Sequence, residues 1–73
     1  MFTVYELPPK EPGRKALKTF DKFRDARNYC VEKIRCFPVR TELLVSDGER
    51  IHFATHVRAS GMLEIWEREA VDA

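Results

Sequence analysis

The sequence predicts an α+β domain: an antiparallel sheet of three to four strands with a single helix packed on one face. Three observations carry this. Residues 22–35 place apolar side chains at helical spacing, several short stretches are rich in β-branched and aromatic residues, and Asp47-Gly48 marks a tight reversal between two of them. One helix covers one face of a sheet. The other face must then meet water, a second copy of the chain or a partner.

Phe2 to Leu7 is rich in aromatic and β-branched residues and reads as the first strand. Pro8-Pro9 stops it, because neither proline can donate a ladder hydrogen bond. The Pro- and Gly-containing stretch 8–14 is a turn or loop. Lys15 to Phe20 reads as a second strand returning antiparallel to the first, with Ala16, Lys18 and Phe20 sharing one side; whether it forms decides the order of the sheet.

The helix is placed at about 22–35. Asp21 can accept backbone N–H bonds as an N-cap, and Asp25 suits the positive end of the helix dipole. Phe23, Ala26, Cys30 and Ile34 then form one apolar stripe. Lys33 and Arg35 suit the negative end, and Pro38 prevents continuation far past Phe37.

Residues 40–57 read as a hairpin turning at Ser46-Asp47-Gly48-Glu49. A two-residue connection there sets Val45 opposite Arg50, Leu44 opposite Ile51 and Leu43 opposite His52. Alternation then puts Leu44, Ile51 and Phe53 on one face and Leu43, Val45, Arg50 and His52 on the other. A second reversal at Arg58-Ala59-Ser60-Gly61 leads into Met62 to Arg68. There Leu63 and Ile65 share one face, and Met62, Glu64, Trp66 and Arg68 the other. The helix is expected on the more aliphatic face, that of Leu44, Ile51, Phe53, Leu63 and Ile65. One residue more or fewer at either turn exchanges the faces. Ala70 to Ala73 reads as a frayed tail.

The face left open is the expected protein-binding surface, made by Leu43, Val45, Arg50, His52, Met62, Trp66 and Arg68. Tryptophan and arginine among aliphatic neighbours are what interface centres favour. The expected occupant is a protein partner or a second copy of the chain. Unpaired edge strands offer a second route to self-association.

At 73 residues the chain, 1–73, is expected to be one domain. Its 44% hydrophobic and 34% charged residues are those of an ordinary folded domain. A core this small leaves little room for an enclosed substrate pocket, and no Gly-rich phosphate loop or serine or cysteine at a strand-to-helix elbow is present, so a non-enzymatic protein without a cofactor is expected. No apolar run reaches the roughly 20 residues of a bilayer span, and the start lacks the pattern of a signal peptide. No membrane association and a cytoplasmic location are the expectations.

Cys30, Cys36, His52 and His56 come in the order of a two-Cys, two-His zinc site, but their spacing argues against one. Cys30 lies in the helix stripe, and His52 and His56 on one strand face would stand about 13 Å apart. A disulfide between Cys30 and Cys36 would need to span about 9 Å along a helix, beyond bridging range.

The net charge of +1 conceals an asymmetry. Residues 1–40 hold ten Lys/Arg against five Asp/Glu, and residues 41–73 hold three against seven. The alternative reading is therefore a nucleic-acid binder using the loop and helix start, through Lys10, Arg14, Lys15, Lys18, Lys22, Arg24 and Arg27. Against it, the pI near 7.8 is low for such a protein, and the aromatic pair of an RNA-recognition sheet is missing.

The junction Phe20-Asp21-Lys22-Phe23-Arg24-Asp25-Ala26, a short helix and a hairpin turning at Asp47-Gly48 together resemble a pattern seen in small uncharacterised proteins of bacteria and their phages. In outline the chain is also similar to small phage inhibitors of CRISPR complexes, which bind a protein surface that normally holds nucleic acid. The resemblance implies a small stand-alone accessory protein and carries no catalytic or binding residue to this chain.

Overall fold

The computed structural model describes residues 1–68. In chain order the elements are β1 (Phe2–Leu7), β2 (Lys15–Phe20), α1 (Phe23–Lys33), a 3-10 turn (Ile34–Cys36), β3 (Glu42–Ser46), β4 (Ile51–Val57) and β5 (Leu63–Glu67). All five strands join one antiparallel sheet in the order β2-β1-β3-β4-β5. The sheet thus has five strands, not three to four. Lys15–Phe20 is a strand because it pairs along β1, with Phe2 opposite Phe20 and Glu6 opposite Lys15. The expectation that Ala16 shares a side with Lys18 and Phe20 is corrected, because a register shift sets Lys18 opposite Val4 and Ala16 opposite Tyr5. The tail expected at Ala70 to Ala73 lies outside the described residues.

The helix stripe packs as its spacing predicts: Phe23, Ala26, Cys30 and Ile34 are all buried. They meet Val4, Leu43, Val45, Phe53 and Val57 from the sheet. Phe53, fully enclosed, contributes roughly 1.5–3 kcal/mol by its burial alone. The N-cap differs from expectation. It is Lys22, in extended conformation and with no side-chain cap bond, while Asp21 is exposed. Phe20 is held in β2 opposite Phe2, so two residues must carry the chain out of the sheet before the helix can begin.

A five-stranded sheet is roughly 20 Å wide at about 4.8 Å per strand, about twice the diameter of one helix. Accordingly α1 packs against β1 to β4 and leaves β5 beyond its reach, apart from an ion pair between Arg27 and Glu67. No helix among the described residues is long and apolar enough to cross a membrane.

The β3–β4 hairpin departs from the expected register, and this exchanges the faces of β3. Asp47 N–H donates to the carbonyl of Arg50 (3.1 Å), so the closing pair is Asp47–Arg50 and the two central residues are Gly48-Glu49. Gly48, with φ of 102°, takes the first central position, where such turns require positive φ. The Asp47 side chain fixes this choice. Its Oδ1 accepts from the N–H groups of Glu49 and Arg50, both at 2.8 Å, while Ser46 Oγ accepts from Gly48 N–H (3.1 Å).

One step further a β-bulge follows: Ser46 faces Ile51, but Val45 faces Phe53, leaving His52 as an extra residue. Leu44 therefore pairs with Ala54 and Leu43 with Thr55. Phe53 keeps its expected place under the helix, while Leu43, Val45 and His52 turn inward beside it and are buried. The expectation that these three line the open face is corrected. The shifted turn and the bulge together displace the pairing by an odd number of residues, which inverts β3 relative to β4.

Candidate functional site

The open face is built around a row of cross-strand partners. Ala16, Tyr5, Leu44, Ala54 and Trp66 stand side by side from β2 to β5. Ala54 is the small member between Leu44 and Trp66, so the floor dips there. A trough forms with Ile51 and Trp66 as apolar walls, Glu42 and Glu49 as carboxylates, and Arg50 and Arg68 as cations. Leu44 lies deep in it at 4% exposure, whereas Trp66 is 49% and Ile51 38% exposed. The groove continues past Glu42, His56 and Glu64 towards Leu7, Pro8, Pro9 and Arg40.

The charges of this face are partly organised. Glu64 binds Arg58, and its other oxygen meets His56 Nε2 at 2.9 Å. Arg58 first, with His56 assisting, holds the Glu64 carboxyl below its ordinary range, and Glu64 in turn raises Arg58. The Arg68 guanidinium lies over the Trp66 ring, 5.7 Å from its centroid. Neither Arg68 nor Glu42 makes an ion pair with another described residue.

Of the residues expected at a protein-binding surface, Arg50, Trp66 and Arg68 come together at the trough. Met62 is exposed but stands in the β4–β5 connection. Leu43, Val45 and His52 lie on the opposite side, under α1. Leu44 and Ile51, assigned from sequence to the helix face, line the trough instead. Tyr5 and Ala54 were not singled out by sequence. Asp47 carried the signal that would have found this arrangement, since aspartate favours the first position of a turn and bonds the N–H groups beyond it.

Beneath the hairpin, His52 is 1% exposed, and its Nε2 meets Asp47 Oδ2 at 2.8 Å. Its ring stands edge-on to Phe2 and Phe23. His52 holds the Asp47 carboxyl well below the usual carboxylate range, helped by the N–H groups of Arg50 and Glu49. His52 Nδ1 is buried, with no hydrogen-bond partner among the described residues.

The two histidines, expected on one strand face, lie on opposite faces because the bulge falls between Val45 and Ser46 of the partner strand, beside His52. Cys30 is buried in the core, and burial pushes its thiol up to about 12; Cys36 is exposed, and both are free. Among the described residues no three His, Cys, Asp or Glu side chains gather as a metal-binding group.

The basic residues do not gather on one face. Arg14 lies over the Tyr5 ring on the open side, 4.4 Å from its centroid. Lys18 lies on the helix side, over Phe20 and Tyr29. Glu11 pairs with Lys15, and Glu67 with Arg27, which also covers the Phe53 ring. Lys10, Lys22 and Arg24 are exposed.

Comparison with protein-family models, with curated proteins and with solved structures yields no match to this chain.

Proposed function

We propose that the chain is a small, non-enzymatic binding module that engages a protein partner, or a second copy of itself, through the open sheet face around Trp66. The observation that carries this reading is the half-exposed Trp66 beside Ile51, over a trough rimmed by Arg50, Arg68, Glu42 and Glu49. An apolar centre with a charged rim is the usual composition of a protein interface. The resemblance to small accessory proteins of bacteria and phages fits the same reading, as does an expected cytoplasmic setting.

The alternative, nucleic-acid binding by Lys10, Arg14, Lys15, Lys18, Lys22, Arg24 and Arg27, is less favoured. Its cations are divided between two faces, and Glu11 and Glu67 answer two of them. A comparative capture experiment separates the two. Wild type and Trp66→Ala serve as bait at low and high salt, with circular dichroism confirming that the variant is folded. The proposal expects a protein retained by wild type at both salts and lost on Trp66→Ala. Retention of nucleic acid that collapses with salt and ignores Trp66→Ala would favour the alternative.

A further inference from the structure

Resting on that reading, we infer that the partner is a second copy of the chain, added antiparallel along the outer edge of β5 with Trp66 at the two-fold axis. The two edges of the sheet differ in how they are protected. β2 carries Lys15 and Lys18 and a register shift opposite Val4 and Tyr5, all devices that discourage strand addition. β5 pairs with β4 in unbroken register and lies outside the cover of α1. Ile65 on one side of β5 and Trp66 on the other are 46% and 49% exposed.

The backbone of β5 is set for addition. Arg58 N–H donates to Met62 O and Arg68 N–H to His52 O, at 2.9 Å each, so the even-numbered residues turn their polar groups towards β4. Leu63, Ile65 and Glu67 then turn theirs outward, where no described strand pairs with them.

The side chains select both the register and the partner. Glu64, Trp66 and Arg68 alternate along the open face, with opposite charges equidistant from the tryptophan. An antiparallel copy centred on Trp66 sets Glu64 of each chain against Arg68 of the other and brings the two indoles together. This is the non-hydrogen-bonded type of pairing, in which side chains approach most closely. Ile65 and Glu67 then exchange backbone hydrogen bonds on either side of the axis. Centring on Ile65 instead would set Glu64 against tryptophan and leave Arg68 without a carboxylate. Because the charge pattern is its own complement, it fits a copy of this chain. The product is one ten-stranded sheet with both helices on the same side and both troughs on the other.

Sedimentation equilibrium of the full chain tests this. The wild-type mass is expected to rise from one chain to two across a concentration series. Ile65→Pro removes an outward N–H, which an edge strand tolerates, and is expected to stay monomeric with an unchanged circular dichroism spectrum. Arg68→Glu opposes like charges across the axis and should weaken the dimer about tenfold. A wild type that stays monomeric at every concentration overturns the second copy as partner, while the loss of a captured protein on Trp66→Ala remains a separate result. A dimer that both Ile65→Pro and Arg68→Glu leave intact overturns the β5 edge as its seat.

Discussion

The two oxygens of Asp47 serve different ends of the hairpin. Oδ1 holds the N–H groups of Glu49 and Arg50 and so closes the turn around Gly48-Glu49; Oδ2 reaches back to His52, the residue the bulge inserts. Register and burial of the histidine are thus tied to one side chain. A carboxyl more acidic in the folded chain than in the unfolded one adds stability at neutral pH. That stability is lost as the pH falls through the acid range below about 4. Asp47→Asn should therefore lower Tm at neutral pH, and the gap from wild type should narrow as the pH is taken from about 4 towards 2. Thermal unfolding followed by circular dichroism over that series checks it. A gap independent of pH would show that the charge of Asp47 plays no part.

Among the elements, α1 was legible in the sequence and β3 was not. Phe23, Ala26, Cys30 and Ile34 define the buried stripe by spacing alone, a local property that tertiary packing only had to accept. The face of β3 depends instead on events outside it. Asp47 captures the turn one residue later than an Asp-Gly centre suggests, and His52 is drawn inward against Phe2 and Phe23, which are distant in sequence. On β5, where no bulge intervenes, alternation correctly separated Leu63 from Glu64, Trp66 and Arg68. The site was consequently half legible, through Arg50, Trp66 and Arg68 but without Leu44 and Ile51. Stability measurements distinguish the two faces of β3 and β5. Leu43→Ala should cost about 2–5 kcal/mol in denaturant unfolding, because it empties a fully buried site. Trp66→Ala, half exposed on the open face, should cost about 1 kcal/mol or less. A cost of about 1 kcal/mol or less for Leu43→Ala would contradict its burial beneath α1.

On the scale of the molecule, the proposed function rests on an imbalance of areas. Among the described residues one helix covers β1 to β4 from one side, and no element covers the other side or the β5 edge. Only a few side chains on that surface are both large and apolar, and Trp66 is the sole tryptophan in the sequence. Its fluorescence therefore reports on the open face without a label. The most direct test is emission and acrylamide quenching of Trp66 in dilute protein shown by light scattering to be monomeric. An open face gives the long-wavelength emission and ready quenching of a hydrated indole. Short-wavelength emission and protection from acrylamide in the monomer would show that the chain already covers this face, contradicting the proposal that it stands open for a partner.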